Sequence, residues 1–363
     1  MGGERIPIIA SLAYNAQRVG TLNVVVLFDR WEEEEDDSAP AEKSPLTRTL
    51  DKKEVEDEVA EALGKLGHTA TLHCLDGSVK SLHAIARLDC DLIFNLAESF
   101  AGNDTADACI AAYLELIDKR FTGAGSHGLL YAQDKAQAKK ILEFHGLHTP
   151  VFARSYRGRL DFSHDLEFPV IVKPAREDGS IGIEFNAVVN SIRELMERID
   201  WLHANFDSPV LIEEYVEGRE IYVGVIGNLK LQVFPVWEMK FEKMPEHSYR
   251  IATERVKWND AYQKKHGIIT EAAPDLPEEL ANRVAQICRR VYRTLDLSGY
   301  ARIDLRLDGE GRVYVLEANP NPQLAYGEDF AESAHHAGVS YETLLQKILT
   351  TGLAWRPERQ NFA

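Results

Sequence analysis

The segment Ala301 to Pro320, ARIDLRLDGEGRVYVLEANP, sets several charged and amide side chains in a regular pattern. Two runs of alternating apolar residues flank Asp308-Gly-Glu-Gly311, a hairpin signature. If the turn puts Asp308 opposite Gly311, Arg302 stands opposite Glu317 and Asp304 lies diagonal to it. The two-residue period of a strand then gathers Arg302, Asp304, Glu317 and Asn319 on one face. Ile303, Leu305, Tyr314 and Leu316 should turn the other way, into a core. Two carboxylates and one amide are oxygen donors that suit Mg²⁺ or Mn²⁺, ions that keep positions open for water and phosphate oxygens. The same pattern also fits a solvated sheet face with an Arg–Glu cross-strand pair. What lies upstream decides between them.

Upstream, Phe168 to Gly182 (FPVIVKPAREDGSIG) is an apolar strand ending in Lys173, followed by a loop. Gly179, Ser180 and Gly182 let backbone N–H groups approach phosphate oxygens, and Lys173 supplies positive charge. The spacing matches neither a Walker loop nor a dinucleotide fingerprint, and a Gly-Ser loop alone is a weak sign. Next, Val210 to Ile212 runs into Glu213-Glu214-Tyr215-Val216. Such a linker offers its backbone to an adenine edge, and Tyr215 and Val216 to the ring face. Glu220 stands one turn further on, where it could accept ribose hydroxyls. Standing alone, this stretch reads better as an edge strand with solvated glutamates.

These residues need elements to hold them. Leu22 to Phe28 reads as a buried parallel strand, followed by an acidic loop, Trp31 to Asp37. Val55, Val59, Leu63 and Leu66 recur at helical spacing until Gly67 stops the helix. Strands are expected at His68–Leu75, Asp91–Leu96, Val170–Lys173, Val210–Val216, Ile221–Ile226 and Leu231–Trp237. Helices are expected at Lys135–Phe144, Pro277–Leu295 and Tyr341–Thr350. The expected fold class is therefore α/β and α+β, in three units: 1–123, 124–213 and 214–363. The 363 residues, 45% hydrophobic and 27% charged, support a sizeable core. A net charge of −17 argues against nucleic-acid binding. No run approaches the ~20 apolar residues of a membrane helix. The four cysteines form no CxxC pair and read as buried thiols in a cytoplasmic protein.

Taken in order, Lys135, Val-Lys-Pro-x-Arg-Glu-x-Gly-Ser-x-Gly, Glu-Glu-x-x-x-Gly-x-Glu and Arg-Ile-Asp…Glu-Ala-Asn resemble the ATP-grasp superfamily, and in their spacing the D-alanine–D-alanine ligases. The resemblance runs from about Asp91 to Pro322. It implies a three-domain ATP-grasp fold, with ATP between the last two domains, that joins a carboxylate to an amine through an acyl phosphate. It implies that Lys135 and Lys173 hold the ATP phosphates under a lid carrying Gly179 and Ser180. Glu213, Glu214, Tyr215 and Val216 would border adenine, and Glu220 the ribose. Asp304, Glu317 and Asn319 would bind Mg²⁺, Arg302 would steady the oxyanion, and Lys257 would neutralise the transferred phosphoryl group. Lid segments are expected at Glu177–Ile181 and Met239–Ile269. Small amino-acid-like substrates and a homodimer are further implications.

Three places depart from those ligases. Phe28-Asp-Arg-Trp-Glu32 replaces a Gly-Gly-x-Ser-x-Glu turn, and the acidic stretch after Arg30 has no counterpart. Pro320-Asn-Pro-Gln-Leu324 replaces Thr-x-Pro-Gly-Met, with Glu328 near the place of a serine beside the second amino acid's carboxylate. The nucleotide half thus keeps the pattern and the amine half does not.

Overall fold

The computed structural model describes residues 20–30, 54–156, 159–163, 165–177, 179–245 and 248–357. The acidic stretch Trp31 to Asp37 lies outside them. Three sheets are built in chain order. The first is parallel, with β1 (Asn23–Asp29) between β2 (Thr69–Leu75) and β3 (Leu92–Asn95). Its valines explain the position of β1: Val24 and Val26 pack against Val59 and Leu63 of the helix Val55–Lys65, while Leu27 packs on the opposite face with Ile110 and Leu114. Both faces are covered, as a parallel sheet requires. The C-terminal helix Tyr341–Ala354 returns to this sheet, adding Leu344, Leu345, Ile348 and Leu349 to the same core.

The second sheet is antiparallel, in the order β5-β4-β8-β6-β7, from β4 (Phe152–Tyr156), β5 (Arg159–Ser163), β6 (Val170–Pro174), β7 (Val188–Val189) and β8 (Val210–Glu214). The third runs β12-β11-β9-β13-β14, with β10 beside β9. Its strands are β9 (Arg219–Ile226), β10 (Gln232–Val233), β11 (Trp237–Phe241), β12 (Ile268–Ala272), β13 (Tyr300–Leu307) and β14 (Val313–Pro320). The helix Glu278–Thr294 covers one face of it, bringing Val284, Cys288, Val291 and Tyr292 against Ile221, Val223, Ile303 and Leu305. The other face is left for the site.

Four sequence expectations need correction. The strand expected over Leu231–Trp237 is split into β10 and β11 around Pro235, which has no N–H to give a ladder. The hairpin register also differs. Asp308 accepts the Glu310 and Arg312 amides at 2.9 and 2.8 Å, and its own N–H donates to the Arg312 carbonyl, so the loop is three residues with Gly311 at φ 78. A bulge after Asp304 adds a second shift, and Asp304 stands directly opposite Glu317, while Arg302 faces Asn319. As a result Val313, Val315 and Ala318 enter the core in place of Tyr314 and Leu316, and Leu316 lines the cleft. Of the cysteines, all free, Cys288 is buried, Cys109 is exposed, and Cys74 and Cys90 are half-buried.

The turn Thr122-Gly-Ala-Gly125 docks on the loop after β14. Asn321 Oδ1 accepts the Ala124 N–H at 2.8 Å, and Gly123, at φ +95, passes so close that a Cβ there would sit 2.3 Å from that oxygen. We expect Gly123→Ala to lower unfolding free energy by about 2 kcal/mol, from left-handed strain plus the clash. Urea titration followed by circular dichroism would measure it, and a loss below about 0.5 kcal/mol would refute the tight approach.

Candidate active site

The alternation of β13 sends Ile303, Leu305 and Leu307 inward and presents Arg302, Asp304 and Arg306 to the cleft. Tyr222 and Glu220 of β9 face the same way, opposite Asp304 and Arg306. On the second sheet, Val170, Val172, Val210 and Ile212 form a core, which leaves Lys173 and Glu213 on the cleft side. The helix Lys135–Phe144 supplies a further wall. Asp134 caps it by accepting the Ala136 and Gln137 amides, each at 3.1 Å, and Ala136 seats it on Phe152 and Leu211. One helical turn separates Lys135 from Lys139, so both ammonium groups project to one face.

Lys173 Nζ lies 2.7 Å from Glu213 Oε2, and Lys139 Nζ lies 2.6 Å from Oε1. Lys139 is almost fully buried and its ammonium is pushed down by that burial, against the pull of Glu213. Burial also opposes the charge on Glu213, but the two lysines overcome it and hold the carboxyl below its ordinary value. The Glu213 carboxylate is thus committed to orienting lysines, and only its backbone is left for a base edge. Replacing it with Gln strands two cations side by side in a buried place. We expect Glu213→Gln to cost about 3 kcal/mol of stability, read as a lowered urea midpoint, and a midpoint unchanged from the parent would refute the pairing.

Lys135 Nζ donates to the Glu177 carbonyl at 2.7 Å and lies 3.5 Å from Glu317 Oε2. Burial opposes ionisation of Glu317, yet Lys135, Lys173, Lys257 and Arg302 together hold its carboxyl well below the usual range. Across the bulge, burial pushes Asp304 up to about 6, against the attraction of Arg302. The Arg302 guanidinium grips Asp304 with two bonds, Nε to Oδ1 at 2.7 Å and Nη2 to Oδ2 at 2.8 Å, over the Tyr222 ring. Asn319 donates to Glu317 Oε1 at 3.4 Å. Two facing carboxylates and an amide, among cations, form a donor set that fits a hard divalent ion sharing phosphate oxygens. Among the described residues no cluster of three acidic, His or Cys side chains forms a closed metal cage.

The glycine-serine loop has its backbone turned as phosphate cradles are. Gly179, Ser180 and Gly182 have φ of 62, 65 and 72, and Ser180 is buried against the cleft. The two segments expected to form a lid meet here: Trp258 Nε1 donates to the Gly179 carbonyl at 2.9 Å, and Glu254 N to the Ile183 carbonyl at 3.1 Å. Lys257, on the short helix Glu254–Trp258, lines the cleft with Tyr215, Val216, Glu220 and Glu214. The Glu214 carboxylate turns aside to accept the Glu167 amide at 2.9 Å.

Of the predicted residues, Lys173, Ser180, Glu213, Glu214, Tyr215, Val216, Glu220, Lys257, Asp304 and Glu317 line one cleft, and Lys135, Arg302 and Asn319 bond to its carboxylates. The structure also shows groups that were not predicted. Lys139 could have been found from its four-residue spacing to Lys135, and Arg306 from the alternation that selects Arg302 and Asp304. Asp329, at the start of the helix Asp329–His336, is raised by burial and feels the charges of Arg302 and Lys257. No local pattern marked it. Glu328 precedes that helix as its N-cap residue, and Gln323 turns back to accept the Leu324 amide.

Comparison with known proteins gives a consistent placement. Residues 142–350 match the sequence model of the D-ala D-ala ligase C-terminus. The chain is 31% identical to the uncharacterized protein y4sG of Sinorhizobium fredii, covering 81% of this chain and 86% of that one. It is 30% identical to a D-alanine–D-alanine ligase of Carboxydothermus hydrogenoformans, covering 83% and 93%. A crystal structure of the Bacillus anthracis D-alanine–D-alanine ligase complexed with ATP has the same fold, with a TM-score of 0.68 at 23% identity over 92% of this chain and 98% of that one. With this coverage, the chain belongs to the D-alanine–D-alanine ligase family, ATP-grasp enzymes that ligate a carboxylate to an amine at the expense of ATP.

Proposed function

We propose that this ligase activates a small amino acid, D-alanine being the first candidate, as an acyl phosphate and couples it to an amine. The observation that carries the reading is the convergence of Lys135, Lys173, Lys257 and Arg302 on Glu317, which stands directly opposite Asp304. Phosphoryl transfer gathers negative charge between nearly in-line oxygens, and fixed cations stabilise that state more than they stabilise bound ATP. Lys135 and Lys173 would hold the phosphates, and Lys257 would neutralise the γ-phosphoryl group. Tyr215, Val216 and the backbone at Glu213 and Glu214 would border adenine, and Glu220 the ribose. Asp304, Glu317 and Asn319 would hold Mg²⁺, which supplies charge neutralisation at the phosphate oxygens. The substrate carboxylate attacks the γ-phosphorus and ADP leaves. The amine then attacks the acyl carbon, phosphate departs, and the amine loses its proton as the amide forms. Arg302 would steady the oxyanion of that second step. Contacts of Trp258 and Glu254 with the loop at Gly179–Ile183 support a closed lid that keeps water from the acyl phosphate.

A second reading concerns the amine. Asp329 places a buried carboxyl near Arg302, which favours an acceptor that carries no carboxylate of its own at that point. The three-unit division at 123 and 213 is supported by one sheet centred in each stretch, although the last helix packs on the first sheet. No helix among the described residues is long and apolar enough to cross a membrane, and a cytoplasmic homodimer is part of the same proposal. Phosphate release from Mg-ATP with D-alanine as sole amino acid, with the product weighed by mass spectrometry, tests the reading. A dipeptide mass supports it. ATP binding without D-alanine-dependent release would overturn D-alanine as the substrate and favour the second reading.

A further inference from the structure

Arg306 is a guanidinium in a place where strand alternation alone demands only a cleft-facing residue. Its side chain is 5% exposed, and a buried cation is costly unless its donors are met. They are met by groups from two separate segments, the stretch that opens β9 and the loop at Arg250. Nη2 pairs with Glu220 Oε2 at 3.0 Å. Nη1 donates to the Gly218 carbonyl at 3.3 Å and to the Arg250 carbonyl at 3.0 Å. The guanidinium also lies over the Tyr215 ring, 5.7 Å from its centre, and the Tyr215 hydroxyl in turn accepts the Arg250 amide at 3.3 Å.

The Glu220 carboxylate is therefore held at both oxygens. Tyr222 donates its hydroxyl to Oε1 at 2.8 Å, and Arg306 holds Oε2. An ionised carboxylate has about four acceptor positions, so two are left, one on each oxygen. That remainder matches the two vicinal hydroxyls of a ribose. Without the guanidinium the carboxylate could rotate, and its uncompensated charge would repel a polyphosphate entering the same cleft.

We propose that Arg306 is a positioning residue that aims Glu220 at the ribose and thereby makes the enzyme select ribonucleotides over 2′-deoxyribonucleotides. This rests on the reading of Glu220 as the ribose acceptor. Because Arg306 also holds the Arg250 carbonyl, at the entrance to the segment that carries Lys257, it ties sugar recognition to the lid. A purely structural arginine would affect every nucleotide alike, whereas an aiming role shows in the ratio between nucleotides.

The test is calorimetric binding of ATP and 2′-deoxyATP, each with Mg²⁺, to the full chain and to R306M, R306K and E220Q, with folding checked by circular dichroism. The parent is expected to bind ATP about tenfold more tightly than 2′-deoxyATP, one charge-assisted hydrogen bond's worth. R306M should bring the two within about twofold, and R306K should keep part of the difference, since it keeps the charge and loses the fork. If E220Q abolishes the preference while R306M weakens both nucleotides equally or leaves the preference intact, the role of Arg306 is overturned. If E220Q itself leaves the preference unchanged, the ribose reading of Glu220 falls and the proposal falls with it.

Discussion

Glu317→Gln is expected to lower Mg-ATP turnover by about a thousandfold, roughly 4 kcal/mol in the barrier, while leaving the fold intact. Glu317 is the anion on which the site's cations converge: Lys135 at 3.5 Å, with Lys173, Lys257 and Arg302 also acting on it. An amide of the same shape keeps the packing beside Asn319 but removes half of the facing carboxylate pair. Two consequences separate in measurement. Bare ATP in chelator should bind the variant at least as well as the parent, since the cleft is one charge more positive. Mg-ATP should bind but turn over slowly, because on the proposed metal role of Glu317 the ion would lose one of its ligands. Phosphate release assayed across Mg²⁺ concentrations would show this. Turnover within tenfold of the parent would remove Glu317 from the metal site.

Much of this site was legible because strand periodicity is short and rigid. Once a hairpin is recognised at Asp308–Gly311, alternation alone places Arg302 and Asp304 on one face and Ile303 and Leu305 on the other, and both were found so. The helix Lys135–Phe144 begins and ends where its capping Asp134 and the following Gly146 require. Register was not legible. It depended on the Asp308 side chain capturing two amides, which lengthens the loop, and on a bulge that nothing in the local sequence announces. Those two shifts bring Asp304 face to face with Glu317 and expose Leu316 to the cleft. Partnerships across sheets were equally hidden. Glu213 reads as a linker residue until the fold sets two buried lysines beside it. Asp329 reaches the site because the helix it opens packs its Phe330 against Phe234 and Tyr300.

For Arg302, substitution by Lys is expected to lower kcat about a hundredfold and leave Mg-ATP affinity within about threefold. The Arg302 guanidinium is spent on Asp304, gripping both carboxylate oxygens. That pair neutralises itself: burial pushes the Asp304 carboxyl up to about 6, and Arg302 is what limits the rise. If Asp304 holds a metal as proposed, its oxygens would no longer engage the fork, and the same guanidinium would be available to an oxyanion. The hand-over needs two parallel N–H donors in one plane, which an ammonium lacks. Arg302→Lys therefore retains the charge that helps attract Mg-ATP and loses the geometry that serves the later state. Arg302→Met should do worse in a second way. It leaves a buried carboxylate unpaired, so Asp304 should hold a proton to higher pH and bind the ion less well near neutrality. Steady-state kinetics with calorimetry of Mg-ATP binding distinguishes the two variants. If the Lys variant lost only nucleotide affinity and kept its kcat, Arg302 would be a phosphate-binding group and the oxyanion would need another partner.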